Sequence, residues 1–287
     1  MIATTGFFDG VHSGHRLVLE RLVSLARSRG DGSLVVTFWP HPRTILQDGA
    51  RELRLLTTLE EKKALLSGLG VDRVEVLDFN RAFAALTAEE YLRDILQGRF
   101  GVTTLLVGYD NRLGSDRLTA PALAPIASRL GIELLELPPL ASQEELSSTK
   151  IRKSLEEGKI EAATEMLGYG YSLKGVVVAG NRLGRTIGFP TANMQLYEPL
   201  KLVPAHGVYA VDAEVLGRHY RGMTNIGLRP TVGGTFRTIE THILDFDEDI
   251  YGLPLRITFL RRIRDEIHFP SLSALRDQLE HDRAACR

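Results

Sequence analysis

The 287-residue sequence predicts two domains in tandem. The first, over about residues 1–168, is a doubly wound parallel α/β domain; the second, over about residues 169–287, is a small antiparallel β-barrel with a terminal helix. Up to about Gly168, short apolar runs alternate with stretches whose apolar residues recur at helical spacing, and strands separated by helices imply parallel crossovers. From Gly168-Tyr169-Gly170-Tyr171 onward the long helical patterns stop. Short strands bounded by Gly and Pro take over until about Phe269. The length also suffices for two cores, each buried on its own.

In chain order, Ile2–Thr5 reads as a strand, and Leu17, Leu19, Leu22, Val23, Leu25 and Ala26 mark the helix after it. Leu34–Phe38 and Arg73–Leu77 are strands flanking a helix over Thr58–Leu66, with Thr57 or Thr58 as cap and Glu60-Glu61 in the first turn. The box Thr87-Ala88-Glu89-Glu90 opens a helix that runs to Leu96. Thr103–Val107 and Ile132–Leu137 are strands around a helix over Ala122–Leu130. Two prolines in Trp39-Pro40-His41-Pro42-Arg43 predict a rigid extended turn. In the second half the strands are Ser172–Val178, Gly207–Val215, Tyr220–Ile226, Thr238–Leu244 and Leu255–Arg261, with Leu216-Gly217 as a tight turn. Ser271 caps a last helix to about His281, with Leu272, Leu275 and Leu279 on one face.

The stretch GFFDGVHSGHR, Gly6–Arg16, puts His12 and His15 three residues apart where the first strand ends and a helix begins. Unpaired amides at a helix start suit an anion, glycines let backbone approach a phosphate, and imidazoles add hydrogen bonds or charge. A Gly-rich capping turn or a metal pair would use the same residues. Leu146-Ser147-Ser148-Thr149-Lys150-Ile151-Arg152 opens another helical pattern. It reads either as an ordinary cap or as hydroxyls and amides for the β- and γ-phosphates with Arg152 beside the leaving pyrophosphate. In the second half, Gly180-Asn181-Arg182-Leu183-Gly184-Arg185-Thr186-Ile187-Gly188-Phe189-Pro190-Thr191-Ala192-Asn193 reads as a plain Gly-rich loop or as a phosphate site. In extended backbone Thr191 and Asn193 point to one side, where a hydroxyl and an amide oxygen suit Mg²⁺ on ATP phosphates. Glu240 and His242 stand likewise two apart on one strand.

GFFDGVHSGH resembles the His-x-Gly-His signature of nucleotidylyltransferases, in the form found in the adenylyltransferase half of bacterial bifunctional riboflavin kinase/FAD synthetases. Ser147–Arg152 is similar to the SSTxIR motif of that family, and Val107–Gly114 to its VGxDFxFG motif. GRTIGFPTAN resembles the riboflavin kinase signature, followed in the family's order by GVYAV, NIGLRPTVGG, ETHILDF and RRIRDEIHFPSLSAL. The resemblance covers nearly the whole chain. It implies a Rossmann-like nucleotidylyltransferase domain in which His12 and His15 stabilise the transferring phosphate, and Gly6, Phe8, Asp9, Asp110, Ser148, Thr149 and Arg152 complete the ATP site. In the kinase half it implies ATP at Gly180, Gly184, Arg185, Thr186, Gly188, Pro190, Thr191 and Asn193, with Mg²⁺ at Thr191 and Asn193. Glu240 would take the ribityl proton, with His242 as its rival, and Arg264 to Phe269 would cover the flavin. Three positions depart from the pattern: Trp39 stands where the family has an acid, and Asn111 and Leu113 where it has aromatic residues.

The expected function is ATP-dependent phosphorylation of riboflavin to FMN, then adenylylation of FMN to FAD. A kinase with a weakened adenylyltransferase, or a flavin- and nucleotide-binding sensor, are the alternatives. A formal net charge of -1 gives no bulk attraction to nucleic acid or membrane. A single cysteine, Cys286, excludes an intrachain disulfide and a thiolate-rich metal site. With no apolar run of membrane length and no charged n-region before an apolar one, the expectation is a cytoplasmic protein whose self-association, if any, is weak.

Overall fold

The structure is a computed structural model that describes residues 1–46, 53–109, 111–138, 146–180, 183–231 and 234–287, without the side chains of residues 183, 229–231 and 234–236. The chain divides into two compact units, Met1–Ser148 and Thr149–Arg287. No helix among the described residues is long and apolar enough to cross a membrane.

In the first unit, β1 (Ile2–Thr5), α1 (Ser13–Arg29), β2 (Ser33–Trp39), α2 (Pro42–Leu46), α3 (Leu59–Gly68) and β3 (Arg73–Asp78) follow one another. Then come α4 (Arg81–Ala84), α5 (Ala88–Glu90) with a π-helical continuation (Tyr91–Arg99), β4 (Thr104–Gly108), α6 (Ala120–Arg129) and β5 (Glu133–Leu137). All five strands are parallel, in the order β3-β2-β1-β4-β5. The pleat sends alternate residues to opposite faces. Ile2, Val35 and Leu106 pack with Leu19, Leu22 and Leu66 on one side, while Ala3, Leu34, Val36, Leu105 and Val107 pack with Leu92, Leu96 and Leu123 on the other. The chain moves outward from β1 to β3 and then returns to β4, so its direction reverses between β1 and β4, where open sheets bind ligands at their carboxyl ends.

Thr58 caps α3 in a reciprocal box with Glu61, and Thr87 does the same with Glu90. After Glu90 the structure departs from the expected α-helix: hydrogen bonds that skip five residues put Tyr91 and Leu96, both buried, on one face. The expected extended turn is confined to residues 39–41. Pro42 opens α2, because its fixed φ and missing N–H suit a first helical position.

The second unit opens with α7 (Ser148–Glu156), whose first residue belongs to the first unit, and α8 (Ile160–Leu167). The sequence reading had no helix at α8, which restarts after Gly158 takes a φ of 73°. Then follow β6 (Ser172–Val178), α9 (Leu183–Thr186), β7 (Ala192–Leu196), β8 (Gly207–Val215), β9 (Arg218–Thr231), β10 (Gly234–Ile243), β11 (Pro254–Arg264) and α10 (Leu272–Ala285). Six strands close a barrel in the order β10-β7-β6-β11-β8-β9, within the five or six expected; the strand not named from the sequence is β7, which begins at the end of the Gly-rich signature. Leu216 and Gly217 both have positive φ, 53° and 71°, which joins β8 to β9 with a twist that matches the strands.

One set of alternate strand residues is almost fully buried: Tyr209, Val211, Thr224, Ile226 and Thr241. The opposite set carries Val208, Ala210 and Met223, which Phe189, Leu279 of α10 and Cys286 just after it cover. Ser271 caps α10 by accepting from the Ala274 amide at 3.1 Å. Asp282 on the helix grips Arg264 of β11 through Nε at 3.0 Å and Nη2 at 2.7 Å.

Candidate active sites

The first candidate site is the loop after β1. The Gly6 amide still bonds Val36 O at 3.1 Å, but the chain then turns, with φ of 53° at Phe8, 81° at Gly10 and 36° at Val11. Positive φ at Phe and at a β-branched residue costs on the order of 1–3 kcal/mol each, so surrounding contacts must hold the loop. The Asp9 carboxylate accepts from the amides of Leu56 and Thr57 at 3.1 Å, and the Thr57 hydroxyl donates to it at 3.2 Å while accepting from the Gly10 amide at 3.1 Å. Ser148 donates to Asp9 O at 3.0 Å. Asp9 is 4% exposed, so its carboxylate acts on the loop's own frame.

His12 is the N-cap of α1 and His15 its third residue, so both rings sit over the first turn. They stack with centroids 3.7 Å apart, and the Phe8 ring meets His15 edge-on at 5.2 Å. Loss of water around His15, then the neighbouring His12, then Lys62, hold its pKa well below the usual histidine value, so the ring is neutral at neutral pH. His15 Nδ1 is buried with no hydrogen-bond partner among the described residues. Thr149 and Arg152 stand in the first turns of α7, and Asp110 lies outside the described residues.

Beside this loop opens a cavity of about 620 Å³ whose walls include Gly6, Phe38, Phe79, Phe83, Tyr91, Asn111 and Leu113. Asn111 and Leu113 serve the loop itself: Asn111 Nδ2 donates to Thr5 O at 3.3 Å, and Leu113 bridges to Leu118. The aromatic character missing at those two positions comes from β2, α4 and the π-helical turn. Phe38, Phe83 and Tyr91 contact one another with centroids 5.5–6.4 Å apart. Sequence reasoning missed these rings because they are far apart in the chain.

The second candidate site lies on the face of the barrel that α10 covers. Val208, Asn225, Glu240 and Asn193 are register partners across β8, β9, β10 and β7, one row on one face. Ala210, Met223 and His242 form the adjoining row. A Cβ at Gly184 would come within 2.2 Å of the Phe189 carbonyl oxygen, so that position requires glycine, and one at Gly180 would displace the Asn193 side chain, whose Nδ2 would lie 2.2 Å away. Gly188 turns the loop with a φ of 86°.

Two cavities meet here. One, of about 290 Å³, is lined by Arg185, Pro190, Thr191, Thr241 and residues 246–251. The other, of about 270 Å³, is lined by Gly184, Thr191, Asn225, Glu240, His242, Arg264, Glu266 and Phe269. Thr191 lines both. His242 Nδ1 lies 2.8 Å from Pro190 O, which can only accept, so Nδ1 carries the proton. Burial lowers the pKa of His242 against the opposing pull of that hydrogen bond, leaving a neutral ring. Arg264 reaches the second cavity, yet its guanidinium is gripped by Asp282, which is 1% exposed. Thr186 ends the short helix α9. Asn225 is a candidate site residue that sequence reasoning did not single out, and strand register places it opposite Glu240; Glu266, within the Arg264–Phe269 segment, lines the same cavity.

Two family models match the chain, one over each half. The FAD synthetase family model matches residues 1–150 and the riboflavin kinase model residues 167–287. A bifunctional riboflavin kinase/FMN adenylyltransferase of Listeria monocytogenes is 36% identical over 100% of this chain and 91% of its own length. The Escherichia coli enzyme of the same name is 37% identical over the same shares. A crystal structure described as a macrolide-efflux protein from Streptococcus pneumoniae has a TM-score of 0.93 and 34% identity, covering 100% of this chain and 93% of that one. The chain belongs to the family of bifunctional riboflavin kinase/FMN adenylyltransferases.

Proposed function

We propose that the two sites act in series, with the barrel making FMN and the α/β domain converting it to FAD. As a member of its family the chain is a riboflavin kinase and an FMN adenylyltransferase, and it uses ATP in both reactions. The observation that carries the residue assignment is the row Asn193–Glu240–Asn225, with Thr191 on the wall shared by two cavities.

In the barrel, riboflavin occupies the cavity that Glu240 lines, with Arg264 and Phe269 at its rim, and ATP occupies the one with Arg185 and Pro190. The γ-phosphorus then lies beside Thr191. Glu240 takes the proton of the ribityl hydroxyl as that oxygen attacks phosphorus and ADP leaves. His242 braces the Pro190 turn through its Nδ1–H. Thr191 and Asn193 offer neutral oxygens two residues apart. That donor set fits an Mg²⁺ held mainly by ATP phosphates, and among the described residues there is no cluster of three or more His, Cys, Asp or Glu to hold a metal without them. Mg²⁺ bound there with ATP would draw negative charge from the transferring group.

In the α/β domain, FMN binds with its ring in the aromatic-lined cavity, and its phosphate oxygen attacks the α-phosphorus of ATP, releasing pyrophosphate. His12 and His15 donate to the α-phosphate. The unpartnered Nδ1 of a neutral His15 favours this, because an arriving triphosphate raises the pKa of an imidazole and supplies the missing partner. Ser148, Thr149 and Arg152 hold the β- and γ-phosphates. Gly6, Phe8 and Asp9 shape the loop from within. The rings at Phe38, Phe79, Phe83 and Tyr91 favour a working adenylyltransferase over one weakened at Asn111 and Leu113. We place the working boundary at about residue 168. A need for ATP at both sites fits the cytoplasm.

The test is a chromatographic time course with riboflavin, ATP and Mg²⁺. FMN should rise first and FAD should follow at its expense. FMN alone would leave only the kinase assignment standing, and no product would contradict both.

A further inference from the structure

Lys62 is the one lysine of α3 whose side chain is fully buried, at 0% exposure, and no step above uses it. Its ammonium donates to Phe7 O at 2.9 Å, Thr37 Oγ1 at 3.2 Å and Phe38 O at 3.4 Å. The Thr37 hydroxyl passes its own proton to Phe7 O at 3.1 Å, so one carbonyl of the loop is held twice. The ammonium also lies 3.7 Å above the Phe7 ring and 5.9 Å from the Trp39 ring. All three acceptors are neutral. Burial brings the lysine down to about 8 against the opposing pull of Asp9, so the charge is kept in a setting that disfavours it. A methionine would fill similar volume without that penalty.

We propose that Lys62 is a positioning residue for adenylyl transfer: its ammonium ties the ends of β1 and β2 beneath the Phe7–His12 loop and fixes the register of the two imidazoles. Being fully buried, it does not touch substrate. This inference rests on the assignment of His12 and His15 to the α-phosphate. The titratable groups facing it are Asp9 on the loop, His15 on α1 with His12 stacked behind it, and His41 packed on the Phe7 ring at 4.1 Å. On its own helix, Glu61 is bound to Thr58.

The experiment compares wild type, Lys62→Met and Lys62→Arg in the full chain. FMN formation from riboflavin is the internal control, and adenylylation of supplied FMN is followed from pH 6 to pH 10. Lys62→Met should keep kinase rate and thermal unfolding near wild type, and lose about tenfold or more in kcat of adenylylation with a smaller change in KM for ATP. Lys62→Arg should recover part of the loss. Wild-type kcat/KM for ATP, which reports the free enzyme, should fall above about pH 8, and that limb should be absent in Lys62→Met. Wild-type adenylylation by Lys62→Met would overturn the proposal, as would a loss that Lys62→Arg shares in full and that has the wild-type pH profile. If Lys62→Met does not fold, a wild-type kcat/KM that stays level from pH 7.5 to pH 9.5 overturns it, and a fall with the domain still folded supports it. His12→Ala separates the two readings: full activity there refutes the histidine assignment itself, whatever Lys62 does.

Discussion

The two proposed sites hold their candidate reactive groups in different ways. In the barrel, Asn193, Glu240 and Asn225 come together through strand register. In the α/β domain, His12 and His15 depend on a loop with positive φ at Phe8 and Val11, held by Asp9, Thr57, Lys62 and Ser148 from distant parts of the chain. A pleated row tolerates changes away from itself. A strained loop transmits the loss of any tie to the histidines proposed to act there, so adenylylation should be sensitive to many buried polar substitutions and the kinase to few.

The largest effect should follow the removal of the proposed base. Glu240→Gln keeps size and shape, and should lower the kinase step by about 10²–10⁴-fold while FMN adenylylation continues. Near-normal phosphorylation by Glu240→Gln together with loss in His242→Ala would move the base to His242. That outcome would break the comparison, because His242 Nδ1 is tied to the Pro190 loop.

Next in size, His12→Ala and His15→Ala should each lower adenylylation by roughly 10²–10³-fold, the usual effect of losing one donor to a developing oxyanion. FMN formation is the control. Normal FAD synthesis in either variant would return that histidine to a capping role.

Asp9→Asn sharpens the comparison, since it alters no reactive group. The amide keeps one acceptor but turns a donor toward the Leu56 and Thr57 amides, which should cost about 1–3 kcal/mol in the α/β domain. Adenylylation should fall more than the kinase rate, with a lower first transition in thermal unfolding. Equal loss in both activities would mean the loop is not held as described.

Much of this was legible in the sequence, and the parts that were share one property: they are local. The cap at Thr57 or Thr58, the Thr87–Glu90 box, the tight turn at Leu216-Gly217 and the cap at Ser271 are each decided within a few residues, and the structure has them all, with Thr58 as the cap of α3. The spacing of His12 and His15 likewise placed both over one helical turn. What escaped depends on contacts distant in sequence. Lys62 looks like a surface lysine until its position is compared with Leu65, Leu66 and Leu69, the apolar stripe it joins; a charge on that stripe was the available signal. Asn225 opens the NIGLRPTVGG stretch, but nothing local placed it opposite Glu240, because register between β9 and β10 is set by the closed barrel. The π-helical turn begins at Tyr91, whose buried hydroxyl bonds Thr5 Oγ1 at 2.7 Å, a tertiary contact 86 residues away that no local pattern announces.

The smallest effect belongs to Trp39, where the family pattern has an acid. Its ring stands 5.9 Å from the Lys62 ammonium, a contact worth about 0.5–2 kcal/mol. Trp39→Asp should leave FAD formation in place. A carboxylate there favours the charged lysine, so the alkaline limb of adenylylation should move to higher pH. Complete loss of FAD synthesis in a folded Trp39→Asp protein would make the ring essential to this chain.

The central proposal, two sites acting in series with the FMN of one used by the other, is tested most directly by mixing two inactive variants. Glu240→Gln supplied with riboflavin, ATP and Mg²⁺ should form little FMN and hence little FAD, and His12→Ala should stop at FMN. Equal amounts of the two together should produce FAD from riboflavin at a rate set by the intact site of each. A mixture that accumulates FMN and makes no FAD, or either variant making FAD alone at the wild-type rate, would contradict the account.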